Sequence, residues 1–359
     1  MTFRIAIETV WRFTPERDGP SMLVMLDFLY EIRATGKITR AAERAGVSYR
    51  HAWNLIEKWS VFFGTPLVER RQGRGTLLTN FGERLVWAGQ RLQARLGPQL
   101  QNLAQELESE INALLPEGGG AVRINASHGF AVSALRDLLA RESDLRVDFR
   151  YVGNANSPAS LAQGGCELAG VHLPLGALRA RTIAAWRDLL SPADHRVILF
   201  VQRQMGLIVR QGNPLQINSL EQLAISGVRF VNRDPESGTR VLFDDLLAQH
   251  GVESQQIEGY AQVEFTHAAV AAYVASGMAD VSFGVEAAAR KFGLDFIPVV
   301  TEDYVFVCHE RSLENSGVQR ILAVMRGEAF RAAVAALPGY SATAPGTVRT
   351  LEEVLGPRD

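Results

Sequence analysis

The chain has 359 residues, of which 47% are hydrophobic and 21% charged, and its net charge is −2. This composition is typical of a globular protein, and the length predicts two or three domains. Two cysteines, Cys166 and Cys308, are too few for a disulfide scaffold and fit a reducing cytoplasm. The sequence shows no secretory signal pattern and no apolar run near the ~20 residues of a membrane span. We therefore expect a cytoplasmic protein without a membrane partner.

Two short helices are predicted near the amino terminus. Apolar residues at helical spacing run from Met22 to Ala34 and stop before Gly36. Thr39 is a suitable N-cap for a second helix through Ala45, and Gly46 suits the position just past its end. We interpret these helices as the part of a helix-turn-helix that precedes the recognition helix.

The third predicted helix carries the strongest functional signal. Ser48 is a good N-cap directly after the turn, and Gly64 closes the helix. Apolar side chains fall on one face at spacings of three and four: Ala52, Leu55, Ile56, Trp59, Phe62 and Phe63. The other face is polar, so this segment is predicted to be a DNA recognition helix.

A recognition helix presents its N-terminal turns to base edges. Arg50 can pair with guanine and Asn54 with adenine, while Arg40 and Lys58 are better placed for phosphates. Together with the wing described next, the predicted DNA-binding residues are Thr39, Arg40, Ser48, Tyr49, Arg50, His51, Asn54, Lys58, Arg70, Arg71 and Arg74.

A hairpin is predicted after the recognition helix. Leu67–Arg70 and Thr76–Thr79 suit strands, and the tip between them is rich in glycine and arginine, as in a wing that contacts DNA. Residues 21–100 hold twelve Lys and Arg against six Asp and Glu, a net charge of +6. The alternative is a helical bundle with a solvated basic face. The coincidence of cap, turn, wing and charge favours DNA binding.

A long helix is predicted from Asn80 to Leu114. Its apolar residues form a near-heptad seam that suits contact between two subunits: Leu85, Leu92, Leu96, Leu100, Leu103, Leu107, Ile111 and Leu114. Gly97-Pro98 should kink or divide the helix, and residues 116–120 should form a flexible linker. The alternative is a helix that packs only on its own domain. We favour a homodimer or homotetramer, because helix-turn-helix proteins commonly read paired half-sites.

From Val122 onward, strands alternate with helices, which predicts parallel sheets flanked by helices. Two such sets suggest two lobes with a cleft, the second lobe spanning about 205–301, with crossings near 202–206 and 301–304. The predicted strands are 122–125, 147–152, 168–173, 228–232, 279–283 and 296–300, and the predicted helices are 130–141, 157–163, 239–250, 267–276, 285–292 and 321–337.

Four predicted strand-to-helix turns hold small polar residues, and such turns form anion sites. The predicted ligand-binding residues are Ser127, His128, Asn156, Ser157, Ser237, Gly238, Thr239, Arg240, Thr266, His267 and Tyr304. Alternatives remain open at several of them. Arg240 could instead pair with Asp244, the histidines could be structural, and Tyr304 could pack at the hinge.

An enzyme is the rival class. Asn125-Ala126-Ser127-His128-Gly129 resembles the Gly-x-Ser-x-Gly elbow of hydrolases, with asparagine in place of the first glycine. His128 is the neighbour of Ser127 in sequence and is poorly placed to act as its base. The chain also lacks the HExxH, Walker A and Rossmann glycine patterns. We therefore expect no catalysis, no metal site and no cofactor.

Residues 22–82 resemble the winged helix-turn-helix of LysR-type regulators through Ala41-Ala42 and Thr79-x-x-Gly82. The run from Ser48 to Trp53, followed by Phe63-Gly64-x-Pro66-Leu67-Val68, is more similar to molybdate-responsive regulators of the ModE type. Residues 121–345 resemble the type II periplasmic-binding-protein fold in its molybdate-binding-like subgroup. The matching segments are 170–173, 232–240, 267–271, 277–280 and 302–304.

The resemblance implies an α/β multidomain regulator of transcription that binds double-stranded DNA and a small anionic effector. The predicted domains are a winged helix-turn-helix at 1–82, a linker helix at 83–115, a flexible linker at 116–120 and a two-lobed effector domain at 121–359. A molybdate- or tungstate-type oxyanion is the expected effector, and a small carboxylate such as formate, or another metabolite, is the alternative. The departure from the family at Gly153–Pro158 keeps the ligand open.

Overall fold

The computed structural model describes residues 5–9, 11, 23–71, 75–114, 121–142, 145–153 and 156–356. It divides into two compact units, Ile7–Gly97 and Pro98–Asp359, the second joined by Met1–Ala6. The predicted linker at 116–120 and the predicted wing residue Arg74 lie outside the described residues, and so does the side chain of Arg71. Among the described helices, none is both long and apolar enough to cross a membrane.

The amino-terminal unit is built from helices α1 (Leu23–Thr35), α2 (Ile38–Arg44) and α3 (Tyr49–Phe63), followed by strands β1 (Val68–Arg71) and β2 (Gly75–Leu78). The two strands form an antiparallel hairpin. Apolar side chains from all these elements and from the next helix make one core, which contains Met25, Phe28, Leu29, Ile32, Ile38, Ala41, Ala42, Ala52, Ile56, Trp59, Leu67, Leu78, Leu85 and Val86.

The predicted N-cap of α2 is wrong, and the predicted N-cap of α3 is confirmed. Helix α2 begins at Ile38, and its N-cap, Lys37, makes no side-chain cap bond, so the predicted cap at Thr39 is wrong. Ile38 is buried in the core and already belongs to the helix. Ser48 does cap α3, because its hydroxyl accepts the His51 N–H at 3.2 Å.

Helix α4 (Asn80–Ala113) runs without a break through Gly97-Pro98, so the prediction of a divided helix is wrong. A proline inside a helix removes one backbone hydrogen bond, and the remaining bonds of this long helix keep it continuous. The boundary between the two compact units nevertheless falls at Gly97. Leu103, Leu107 and Ile111, on the turns that follow, are 50%, 43% and 44% exposed.

The first lobe of the carboxyl-terminal unit has three parallel strands. Strand β3 lies between β4 and β5. Its elements are β3 (Val122–Ala126), α5 (Phe130–Leu139), β4 (Val147–Tyr151), α6 (Asn156–Ala162), β5 (Leu168–Pro174) and α7 (Leu178–Ala184). The second lobe repeats this plan, with β7 between β8 and β9. Its elements are β7 (Phe230–Arg233), α8 (Gly238–Gln249), β8 (Val263–Glu264), α9 (His267–Ala275), β9 (Val281–Val285) and α10 (Glu286–Lys291).

Two strands of fifteen residues each, β6 (His195–Val209) and β10 (Asp295–His309), cross between the lobes. They pair antiparallel along their length, with Arg203 opposite Glu302. The predicted crossings lie inside these strands, but the sequence pattern predicted only parallel sheets and did not reveal their antiparallel pairing. The α/β fold with two lobes is confirmed.

After β10 the chain returns to the first lobe. The single helix predicted at 321–337 is wrong, because two helices, α11 (Ser316–Arg326) and α12 (Glu328–Ala335), meet at Gly327 in an extended backbone. Their apolar faces, including Ile321 and Phe330, pack into the core of the first lobe. The last described elements are β11 (Tyr340–Ser341), β12 (Val348–Thr350) and α13 (Leu351–Leu355).

Candidate functional sites

Helix α3 presents a polar face to solvent. Ala52, Ile56 and Trp59 are buried and fix which side of the helix faces the core. The predicted DNA-binding residues with described side chains are all exposed: Thr39, Arg40, Ser48, Tyr49, Arg50, His51, Asn54, Lys58 and Arg70. Cationic and amide groups in this arrangement can reach phosphates and base edges.

Arg70, on the hairpin, contacts α3 directly. Its guanidinium lies 4.4 Å from the centroid of the Trp53 ring. Its Nη2 donates a hydrogen bond of 2.8 Å to the Tyr49 hydroxyl oxygen. The arginine that the sequence placed on the wing as a DNA contact therefore joins the wing to the recognition helix.

The carboxyl ends of β7 and β8 place the first turns of α8 and α9 side by side. Arg233 and Glu264 are partners in the parallel register of these two strands. The Thr239 hydroxyl oxygen of α8 lies 3.3 Å from Nε2 of His267, the first residue of α9. First-turn N–H groups lack intrahelical acceptors, so two adjacent helix starts favour an anion.

The first lobe approaches this point through His128 and Gly153. The His128 ring stacks on Tyr151 at 3.8 Å and meets Phe265 of the second lobe edge-on at 5.7 Å. A β-carbon at Gly153 would lie only 2.8 Å from the Glu236 carbonyl oxygen, so glycine permits this close approach of the lobes.

A buried polar cluster lies at the crossing strands. Arg203 donates to the Glu302 carboxylate, and Nδ1 of His172 lies 3.3 Å from the same carboxylate oxygen. Burial alone would raise the pKa of Glu302, but Arg203 and His172 bring this pKa down to about 2. The Tyr304 ring stacks on His172 at 4.1 Å, and its hydroxyl accepts the Ser127 N–H at 2.9 Å.

Arg233 is a buried cation in the cleft that lacks a full set of hydrogen-bond partners among the described residues. It is 5% exposed, and its Nη2 donates to the Phe265 carbonyl at 2.9 Å. Its Nε and Nη1 have no hydrogen-bond partner among the described residues. Burial and the nearby charge of Arg203 lower the pKa of Arg233 to about 9, so it remains charged at neutral pH. A buried guanidinium with two unused donors is costly unless an anion accepts them.

The histidines near Arg233 are neutral at pH 7. Burial, with Arg233 and Arg136 nearby, lowers the pKa of His128 to about 3. Burial and the same Arg233 hold the pKa of His267 well below its usual range. Nε2 of His128 and Nδ1 of His267 have no hydrogen-bond partner in the described part of the chain. Each can donate a hydrogen bond as the appropriate neutral tautomer.

Several predicted ligand residues are engaged within the protein. Ser237 caps α8 and donates its hydroxyl to the Asp234 carbonyl, and Thr266 caps α9. Ser157 donates to the Asn125 carbonyl at 3.4 Å, and Asn156 is exposed. Arg240 pairs with Asp244 at 3.0 Å and stacks over Tyr260 at 4.1 Å, which is the alternative that the sequence left open.

The sequence-based site omitted Arg233, Arg203 and Glu302. Arg233 is the last residue of the buried strand β7 and stands four residues before Ser237, so its position at the end of the strand was a usable signal. Arg203 and Glu302 lie 99 residues apart, and only the pairing of the crossing strands brings them together.

Comparison with known proteins identifies both parts of the chain. Residues 136–326 match the family described as "PBP superfamily domain", and residues 23–83 match "Bacterial regulatory helix-turn-helix protein, lysR family". "Transcriptional regulator ModE" of Haemophilus influenzae (strain ATCC 51907 / DSM 11121 / KW20 / Rd) is 42% identical over 62 residues, which cover 16% of this chain and 24% of that protein.

Two relatives cover more of the chain. "Uncharacterized protein YvgK" of Bacillus subtilis (strain 168) is 29% identical over 252 residues, 68% of this chain and 79% of its own length. "Probable RuBisCO transcriptional regulator" of Porphyra purpurea is 23% identical over 315 residues, 86% of this chain and 88% of its own. The chain therefore belongs to the PBP superfamily and is a transcriptional regulator of the LysR/ModE type, with a lysR-family helix-turn-helix and a PBP-like effector domain.

Proposed function

We propose that this regulator senses a small anion held between the two lobes and that the bound anion changes its affinity for double-stranded DNA. The observation that carries the proposal is the buried guanidinium of Arg233, in which two donor nitrogens lack acceptors among the described residues. Such a group is stabilised by an anionic partner, and charge-assisted hydrogen bonds are the strong ones.

The proposed ligand shell combines charge with neutral donors. Arg233 supplies the charge, and His128 and His267 supply imidazole N–H groups. The backbone N–H groups of Gly238 and Thr239, in the first turn of α8, complete the shell from the second lobe. Ser127 of the first lobe and Tyr304 of the crossing strand β10 border the shell, and the Ser127 N–H donates to the Tyr304 hydroxyl. Arg240, Asn156 and Ser157 are omitted from the shell, because Arg240 and Ser157 are engaged elsewhere and Asn156 is exposed.

We propose a molybdate- or tungstate-type oxyanion as the effector. The similarity of the DNA-binding region to the ModE regulators supports this choice, although it covers only that region. A ligand shared by two lobes binds their closed arrangement better than an open one, and this differential affinity is what a switch requires. The proposed role is sensing without catalysis, since burial lowers the pKa of His128 to about 3 and makes it a poor general base for Ser127.

The active form is proposed to be a homodimer or a homotetramer. Leu103, Leu107 and Ile111 are exposed at helical spacing on α4, where a second copy of this helix would cover them. Paired subunits would read paired half-sites on DNA.

Thermal unfolding of the full-length protein against molybdate, tungstate, sulfate, phosphate and formate tests the ligand. An anion at a hundred times its dissociation constant stabilises the folded state by about 2.7 kcal/mol, enough to move the midpoint measurably. A shift with molybdate and tungstate alone is the expected result. A shift with formate alone would replace the effector class, and no shift with any anion would contradict the proposed sensing of these anions.

A further inference from the structure

An arginine that is both stacked and hydrogen-bonded joins the hairpin to the recognition helix. The Arg70 guanidinium covers the Trp53 ring at 4.4 Å, and its Nη2 donates to the Tyr49 hydroxyl at 2.8 Å. Trp53 packs against the core of the amino-terminal unit, so the arginine rests on a fixed support. We propose that Arg70 is a positioning residue that orients Tyr49 as a hydrogen-bond donor to DNA.

The chemistry of Arg70 and Tyr49 determines which of the two donates the hydrogen bond. A guanidinium can only donate, so the Tyr49 oxygen is the acceptor and the phenolic O–H remains directed toward some other acceptor. Tyr49 is 45% exposed and begins the helix that carries Arg50. The acceptors that DNA offers to a residue on a recognition helix are phosphate oxygens and the major-groove edges of bases. The neighbouring charge polarises the phenol and strengthens its donation.

The same geometry argues against Arg70 as an independent phosphate contact. Its planar group already has one face on an indole and one N–H on a phenol, and among cationic side chains only arginine combines a stacked plane with an N–H directed from the edge of that plane. Lysine cannot reproduce them, although it keeps the positive charge. The two roles therefore predict different behaviour for Arg70→Lys.

The test uses full-length protein and a short labelled duplex that the wild-type protein has selected from a random pool. We expect Tyr49→Phe, Arg70→Met and Arg70→Lys each to weaken binding about tenfold, the usual scale of one charge-assisted hydrogen bond. The double variant Tyr49→Phe/Arg70→Met should bind no more weakly than either single variant. The slope of log affinity against log salt should be unchanged in Arg70→Met, because Arg70 itself neutralises no phosphate in this proposal.

Three results would overturn the proposal: wild-type affinity in Arg70→Lys, effects that multiply in the double variant, or a salt slope in Arg70→Met that is shallower by about 0.9, the loss of one phosphate contact. Melting of each variant is measured beside binding. If an Arg70 variant unfolds, Tyr49→Phe still tests the proposal, because it keeps the aromatic ring and removes only the phenolic O–H.

Discussion

The proposed DNA-binding surface and the interlobe cleft place arginine in opposite environments. Arg40 and Arg50 are exposed and solvated, so they can bind a polyanion with little cost to the folded state. Arg233 is buried and lacks a full set of partners among the described residues, so its charge costs stability in the absence of an anionic partner. An exposed cation therefore contributes affinity that salt screens, and a buried one contributes selectivity at the expense of stability.

The largest expected effect concerns the carboxylate that balances the buried cations. Glu302→Gln leaves Arg203 without its counter-ion beside Arg233, and breaking a buried pair costs about 3–5 kcal/mol. Urea unfolding at pH 7 measures the loss. The exposed pair of Glu310 with Arg196 provides the control, because Glu310→Gln should cost at most about 1 kcal/mol. Equal midpoints for the two variants would contradict the balance proposed for the cleft.

Arg233→Met is expected to separate ligand binding from stability. Effector affinity should fall by about 2–5 kcal/mol, because the charged donor of the site is lost. The ligand-free protein should become more stable, because a buried and incompletely paired charge is removed. Calorimetric titration and thermal unfolding measure the two effects. Arg240→Met is the matched control and should retain the ligand; an unchanged affinity in Arg233→Met would remove Arg233 from the site.

Arg50→Ala tests whether an exposed arginine of α3 reads a base. Loss of a base contact should weaken operator binding by about 1–3 kcal/mol and leave the ligand-induced stabilisation unchanged. Fluorescence anisotropy and footprinting measure the binding. A footprint and an affinity equal to those of the wild type would show that Arg50 does not read a base.

Lowering the pH should reduce the free energy of unfolding of the effector domain, partly because His128 is buried as a neutral imidazole. Its pKa is lowered from 6.5 to about 3 in the folded state, so the unfolded chain takes up the proton first as pH falls below 6.5. Stability from this group is therefore present above pH 6.5 and lost below it, by about 1 kcal/mol between pH 7 and 5.5. His128→Phe should keep the ring stack and show a smaller loss. A loss equal to that of the wild type would contradict burial of a neutral imidazole.

The two regions also differ in how far the sequence predicted them. The recognition helix is a local feature, so the cap at Ser48, the buried face through Ile56 and the end at Gly64 could be recognised from spacing alone. The wrong cap at Thr39 and the unbroken helix at Pro98 show where burial and the surrounding helix override local preference.

The cleft was only partly predictable, because tertiary pairing assembles it. The turns around His128 and His267 follow from the rule that ligands bind at the carboxyl ends of strands. The pairing of Arg203 with Glu302 depends on the antiparallel register of β6 and β10, which no local pattern encodes. A local pattern likewise cannot distinguish a serine that binds ligand from one, such as Ser237, that caps its own helix.

If an anion in the cleft controls DNA binding, the affinity of the protein for one duplex must depend on the anion and on Arg233. Anisotropy titrations of the full-length protein with its selected duplex are run with and without saturating molybdate, for the wild type and for Arg233→Met. We expect a change in DNA affinity of about 1–3 kcal/mol, the usual range of coupling, in the wild type and none in the variant. Equal DNA affinities for the wild type with and without an anion shown to bind it would mean that the cleft does not control DNA binding.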